Sequence, residues 1–194
     1  MSFAPLVFMK AMKDRIAITG GIAEGKSTVV GYLRALGEPV ASADEAARAA
    51  LSDPVVRQAA CQAVGVTEWD SSRVRAIIAA NPERRRALNA VTHPAIWRIL
   101  ESTPARFVEV PLLFEACLQR DFREVWVVAC GVEEQRNRLA RRLNSLEEAD
   151  ALIATQLSGR TKAALADRII RTNQDEPNVM RYVAEALKEI QGLR

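Results

Sequence analysis

Residues 20–27 read GGIAEGKS: three glycines, a lysine and a serine set between an apolar run, RIAIT at 15–19, and a stretch with helical apolar spacing. Gly20, Gly25, Lys26 and Ser27 stand at the spacing G-x-x-x-x-G-K-S of a phosphate-binding loop, in the strand-then-helix context that such a loop requires. The spacing has a physical cause. A loop that wraps a phosphate chain must turn successive backbone N–H groups inward, and glycine permits both the positive φ angles and the close approach. The segment Gly21, Ile22, Ala23, Glu24, Gly25, Lys26, Ser27 and Thr28 is therefore predicted to line the phosphates of a nucleotide. Lys26 is expected beside the β- and γ-phosphates and the Ser27 hydroxyl on Mg²⁺, with the helix N-terminus adding its partial positive charge. The pattern selects a nucleoside triphosphate and leaves the reaction open.

A GTPase reads guanine with N/T-K-x-D after a later strand, and the sequence contains no such tetrapeptide. Motor and transporter ATPases place an acid at the end of a later strand; FVEVPLLFE at 107–115 offers Glu109 and Glu115. Size and a helical insertion favour a small-molecule kinase, in which catalysis is mostly positioning and charge neutralisation.

The elements that must position these residues follow from periodicity and punctuation. A buried strand is predicted at 15–19 and a helix at 26–36, with Val29, Leu33 and Leu36 on one face and Gly37 past its end. EPVAS at 38–42 reads as a second strand that ends before Ala43 and Asp44. Asp53-Pro54 and Asn81-Pro82 each pair an N-cap with proline at the first helical position, predicting helices over 54–64 and 82–92, with another at 73–80. Strands are expected at 107–114 and 123–129, a helix at 132–143, and a helix from the capping box Ser145…Glu148 to 158. A strand at 168–171 and a helix from 177 complete the chain. Strands alternating with helices give the fold class α/β, a P-loop kinase-like parallel sheet flanked by helices. The helical block is too long for a crossover. The block at roughly 45–100 is therefore expected to be a lobe inserted into the sheet domain.

Composition bounds the alternatives. The 194 residues carry 27 Lys and Arg against 24 Asp and Glu, a net +3 too slight to imply a nucleic-acid or membrane-surface partner. The charge is uneven: Arg73, Arg75, Arg84, Arg85, Arg86, Arg98 and Arg106 face only Glu83 and Glu101 over 73–106, which suits an anionic ligand or a solvated helix face. Cys61, Cys117 and Cys130 are an odd number without C-x-x-C, so neither a disulfide framework nor a zinc site is expected, and a reducing cytoplasm fits. No run approaches the 18 apolar residues of a membrane span, and residues 1–13 read as a loose extension.

ITGGIAEGKST, SADEAAR at 42–48, Thr92-His93-Pro94-Ala95-Ile96, VPLLFE at 110–115 and ALADRIIRTN at 164–173 resemble, in order and spacing, the dephospho-CoA kinases. That resemblance implies transfer of a phosphoryl group from ATP to the ribose 3′-hydroxyl of dephospho-CoA, the last step of coenzyme A synthesis, by a monomer or weak homo-oligomer, and a division into a nucleotide-binding core of 14–44 and 106–194 with a lid near 136–165 and a helical CoA-binding lobe at 45–105. It implies that Asp44 is the catalytic aspartate, accepting the 3′-hydroxyl proton with Lys26 on the phosphates, and that Arg48, Arg73, His93, Pro111 and Leu112 line the substrate. Arg138 and Arg142, four apart on one helical face, fall in the lid, as do Gln156, Arg160 and Lys162, and Asn173 matches a position lining the adenine site. Each residue also has a plainer reading: Asp44 as a helix N-cap, Arg48, Arg138 and Arg142 as solvated cations, His93 as a structural residue at a helix break, Glu115 as a structural carboxylate.

The sequence departs from the family's pattern in three places, one being VGVTEWDSSR at 64–73, which is shorter than the usual glycine-containing loop of the substrate lobe. Ser42-Ala43-Asp44 stands where Asp-Ala-Asp is common, so one carboxylate is missing, and Ala23-Glu24 stands where Gly-Ser is common, which brings an acid near the phosphates unless its side chain points outward. A different P-loop kinase, or a silent nucleotide-binding regulator, are the competing readings.

Overall fold

The computed structural model describes residues 12–192. In chain order the elements are β1 (Ile16–Gly20), α1 (Lys26–Ala35), β2 (Val40–Ser42), α2 (Ala43–Ser52), α3 (Pro54–Val64), α4 (Ser71–Ala80), α5 (Pro82–Ser102), β3 (Phe107–Glu109), β4 (Glu124–Ala129), α6 (Val132–Leu143), α7 (Leu146–Ala154), α8 (Gly159–Ala164), β5 (Arg168–Arg171) and α9 (Glu176–Gly192), with a single 3₁₀ turn at Gln119–Asp121 between β3 and β4. The chain divides into two compact units: the described residues of Met1–Ala41 and Ala105–Arg194, and Ser42–Pro104.

The first unit is built on the sheet, whose strand order is β2-β3-β1-β4-β5. The ladders β1–β3, β1–β4 and β4–β5 are parallel, with Ile16 opposite both Phe107 and Glu124, and Trp126 opposite Arg168. All five residues of β1 are buried, as a continuous apolar run covered on both faces should be. The core joins Ile16 and Ile18 of β1, Val29 and Leu33 of α1, Phe107, Trp126 and Val128, and the apolar stripe Val179, Val183, Ala186, Leu187 and Ile190 of α9. Phe107 meets Trp126 edge to face, with centroids 5.2 Å apart. Because β1 lies between β3 and β4, its C-terminal end is the point where strand order reverses, the place where open parallel sheets bind ligands.

The second unit is helical, with Ala60, Val64, Val74 and Leu88 at its centre and Leu51, Val66 and Trp69 packed around them. Its helices start where the sequence signals place them. Asp53 accepts from the Val55 N–H, Asp70 from Ser72 and Arg73, and Asn81 from Glu83 and Arg84.

Four expectations are corrected. The predicted strand 107–114 stops at Glu109: Val110 still donates to the Ile18 carbonyl, but Pro111 has no N–H to continue the ladder, and 111–117 is a run of turns that keeps Leu113 and Phe114 buried while Leu112 is exposed. The helix expected to end at 92 runs on to Ser102 with Pro94 inside it. An interior proline costs about 3 kcal/mol, offset here by burial of Leu88, Thr92, Ala95 and Leu100 along the same helix. The helix expected over 145–158 ends at Ala154, and α8 is a separate helix capped by the Ser158 hydroxyl, which accepts from the Thr161 N–H. Of the extension read at 1–13, residues 1–11 lie outside the described residues, whereas Met12 is buried and Lys13 donates to the Arg120 carbonyl. Among the described residues no helix is long and apolar enough to cross a membrane.

Candidate active site

The loop after β1 takes its shape from three backbone positions. A Cβ at Gly20 would run into the Val128 carbonyl of β4, so only glycine lets the chain leave the sheet there. Ala23 (φ 60°) and Gly25 (φ 89°) are left-handed, and these reversals curl the loop over the start of α1. Gly25 caps α1 without a side chain, which leaves the first-turn N–H groups of the helix as backbone donors suited to an anion. Lys26 Nζ donates to the carbonyls of Gly20 (2.9 Å) and Gly21 (2.8 Å), holding its charge over the loop. Ser27 and Thr28 follow on the exposed side of the same turn.

Neighbouring elements brace the loop at nearly every peptide. The Ile22 N–H donates to Gln156 Oε1 at 3.1 Å, and the Ile22 carbonyl accepts from Gln135 Nε2 of α6 at 3.0 Å. Thr172 Oγ1, just past β5, donates to the Glu24 carbonyl at 2.7 Å. Arg138 of α6 in turn holds Thr172, donating to its carbonyl at 2.6 Å and its hydroxyl at 3.3 Å, while its Nε pairs with Glu134 at 2.7 Å. The Cys130 thiol lies 3.9 Å from the Ala23 carbonyl, and burial pushes it up to about 11, which leaves it a thiol at neutral pH. The acid of the loop is turned inward: Glu24 is 2% exposed, and its carboxylate accepts the Gly21 N–H. Burial raises the Glu24 carboxyl above its ordinary range, against that hydrogen bond and the charges of Lys162 and Lys26.

Beside this loop a pocket of about 580 Å³ opens between the start of α6 and the end of β5, lined by Cys130, Glu134, Asn137, Arg138, Asn173 and Gln174. Asn173 and Arg138 therefore share one cavity wall, whereas Arg142 is an exposed residue that does not line it. The Pro111 carbonyl accepts from Thr19 Oγ1 at 3.3 Å, which fixes the 111–117 turn at the end of β1. Glu115 Oε1 accepts the Leu157 N–H at 3.0 Å and pairs with Lys162 Nζ at 2.9 Å. Burial pushes the Glu115 carboxyl up, but the bonds from Lys162 and from N–H groups outweigh it, leaving it below its ordinary range. Lys162 itself is fully buried, so of the cations assigned to a lid from the sequence it is one that faces the protein and not a ligand; Arg160 is exposed.

In the helical unit Asp44 and Arg48 are exposed and one turn apart on α2. The N-cap of α2 is Ser42, whose hydroxyl accepts the Glu45 N–H at 3.4 Å, so capping is not the job of Asp44. Arg73 is exposed in the first turn of α4. His93 lies in the middle of α5, not at a break, half-buried, and burial lowers its pKa. Thr92 Oγ1 bonds back to the Leu88 carbonyl at 2.9 Å beside it.

The dephospho-CoA kinase family profile matches residues 15–178. The chain belongs to the dephospho-CoA kinase family. It is 36% identical to the dephospho-CoA kinase of Synechococcus elongatus over 92% of this chain and 93% of that one. With the enzyme of Symbiobacterium thermophilum it shares 42% identity over 80% of this chain and 72% of that one. The solved structure of dephospho-CoA kinase from Campylobacter jejuni superposes with a TM-score of 0.68 at 27% identity, covering 94% of this chain and all of that one. A Thermus thermophilus structure superposes at 0.78 with 30% identity, covering 91% of this chain and 97% of that one.

For a dephospho-CoA kinase, three residues of the phosphate-loop surroundings went unread in the sequence: Gln135, Thr172 and the burial of Lys162. Gln135 carried a usable signal, since it stands four residues before Leu139 on the buried face of α6, where an apolar residue belongs. Thr172 and Lys162 follow ordinary local patterns, and only the sheet topology brings them under the loop.

Proposed function

We infer that this chain transfers the γ-phosphoryl group of ATP to the ribose 3′-hydroxyl of dephospho-CoA, completing coenzyme A. The observation that carries the reading is the braced P-loop at the strand-order reversal of a dephospho-CoA kinase sheet, with its lysine and serine in place. The loop donors and Lys26 hold the β- and γ-phosphates in line for attack. Ser27 fits a Mg²⁺ ligand, since its side chain is exposed in the α1 turn that follows Lys26. Mg²⁺, when bound there, would neutralise charge on the triphosphate.

Asp44 orients the 3′-hydroxyl and takes its proton as the oxygen bonds to the γ-phosphorus; the bond from that phosphorus to the β-bridging oxygen breaks and ADP leaves. Arg48, Arg73, His93, Pro111 and Leu112 hold the acceptor, the helical lobe 45–105 supplying the first three. Segment 136–165 acts as the lid, Arg138 and Arg142 offset charge on the transferred group, and Asn173 lines the adenine site. The enzyme is taken as cytoplasmic, and monomeric or weakly self-associating.

The test is a coupled ADP-release assay with dephospho-CoA, adenosine, AMP and shikimate as acceptors, with the 3′-phosphate identified by mass and NMR. Dephospho-CoA is expected to react at least 100-fold faster than the others, because its diphosphate and pantetheine arm supply binding that orients the hydroxyl. Equal rates with adenosine would refute the assignment.

A further inference from the structure

We propose that Glu24 is a positioning residue for nucleotide binding, a buried latch that ties the phosphate loop to the segment 156–162. The inference rests on the P-loop reading above and concerns what this chain has done with the acid at the position before Gly25.

The carboxylate has a built seat. One oxygen accepts the Gly21 N–H; a Cβ on Gly21 would come within 2.9 Å of that oxygen, and a Cβ on Gly159 within 3.0 Å of the other. Two glycines, one in the loop and one opening α8, thus leave the space that the carboxylate fills. The buried Lys162 ammonium, one turn further along α8, acts on Glu24 by its charge and pairs with Glu115 at 2.9 Å. The same segment is tied down twice more, by Gln156 Oε1 on the Ile22 N–H and by the Leu157 N–H on Glu115.

The consequence lies in the loop. With Glu24 on the Gly21 N–H, Lys26 on the Gly21 carbonyl, and Gln156 and Gln135 on the two sides of Ile22, the three peptide groups from Gly20 to Ala23 are pinned. The second half, from Ala23 to Lys26, is then held in its curled form before a nucleotide arrives, and less ordering is left for binding to accomplish. Loss of the Glu24 side chain frees the Gly21 N–H and empties the seat beside Gly159, leaving Gln156 as the remaining bond from 156–162 to the loop.

The experiment is calorimetric titration of Mg-ATP into wild type, Glu24→Ala, Glu24→Gln and Gly159→Ala without an acceptor, followed by steady-state kinetics with dephospho-CoA. Glu24→Ala is expected to weaken ATP binding about tenfold and raise the KM for ATP in step, with the KM for dephospho-CoA within twofold. Glu24→Gln, whose amide oxygen still accepts the Gly21 N–H, should return to within threefold of wild type. Gly159→Ala, which crowds the carboxylate without removing it, should show part of the same loss. ATP affinity of Glu24→Ala within twofold of wild type overturns the latch, as does an equal rise in both KM values. Failure of the wild type to bind ATP overturns the P-loop reading and the latch with it. An enzyme that binds ATP but does not phosphorylate dephospho-CoA removes only the acceptor, and the titrations still decide the latch.

Discussion

Replacing Asp44 by asparagine separates chemistry from helix architecture, because the N-cap of α2 belongs to Ser42. Asp44 lies inside the first turn, exposed, next to Glu45, so Asp44→Asn removes one of two favourable charges near the helix N-terminus, worth roughly 0.3–1 kcal/mol. In a chain of this size that lowers Tm by about 1–4 °C. Loss of a general base costs about 3–5 kcal/mol in the transition state, or 10²–10⁴ in kcat. The two effects differ by several kcal/mol, so a small loss of folded protein cannot mimic the second. The companion variant Ser42→Ala gives up a long capping bond, roughly 0.5–1 kcal/mol, with a Tm loss of the same few degrees. The expected pattern is therefore similar melting for both variants, with kcat down at least 100-fold only for Asp44→Asn and its KM for ATP within a few-fold of wild type. Steady-state kinetics and thermal unfolding on the same preparations check it. A kcat for Asp44→Asn within threefold of wild type would remove Asp44 from the mechanism, and an equal loss in Ser42→Ala would move the effect to the helix start as a whole.

Three further outcomes are expected. Lys26→Ala, which deletes a charge held on two loop carbonyls at a partly buried position outside the apolar core, should bring phosphoryl transfer below about 1% of wild type with Tm within a few degrees; near-normal turnover would refute the P-loop assignment. Gly25→Ala forces a side chain into left-handed backbone, about 1–2 kcal/mol, and brings its Cβ to 2.9 Å from Thr172 Oγ1, so Tm should fall by roughly 2–8 °C and ATP affinity with it, read by thermal shift and titration. For Glu24 the sign follows from burial: its folded carboxyl pKa is raised above the unfolded value of 4.5, so its contribution to stability is complete below that pH and lost as pH climbs through the raised value, despite the opposing charges of Lys162 and Lys26. Glu24→Gln should thus melt higher than wild type at pH 7.5, the gap closing toward pH 4.5, as a series of melts across that range will show.

The parts legible in the sequence were those fixed by local chemistry. GxxxxGKS marks its loop because the turn, the glycines and the lysine are neighbours in the chain, and Asp53, Asn81 and Ser145 mark helix starts because a cap bonds within its own first turn. Errors came where long-range packing outweighed local preference. Pro94 ends a helix in isolation, yet α5 continues because its residues on both sides are buried against the other helices of its unit. VPLLF reads as strand on hydrophobicity, but Leu113 and Phe114 are buried from a turn, which apolar content alone cannot distinguish from a strand. The site was half legible for the same reason: Lys26 and Ser27 are in the motif, whereas Gln135, Gln156 and Thr172 reach the loop from 113, 134 and 148 residues away along the chain, at Ile22, Ile22 and Glu24 respectively.

That distribution has a physical sense. A phosphate loop must present several N–H groups toward one point, a concave arrangement that a short glycine-containing segment does not hold by itself, because glycine loses more backbone freedom on ordering than any other residue. The donors therefore have to be aligned from outside the loop. Here the alignment is distributed over α6, the segment between α7 and α8, and the residue after β5, through amide and hydroxyl groups that each bond one loop peptide, while the Glu24 carboxylate bonds another from within the loop. A side chain such as Glu24, whose burial lowers stability at neutral pH, persists in that setting only if the order it imposes is worth more to the loop than the charge costs the fold. The two quantities are separately measurable. Glu24→Gln isolates the cost of the charge in Tm, Glu24→Ala isolates the value of the anchor in ATP affinity, and a protein in which both move in the same direction would contradict this division of labour.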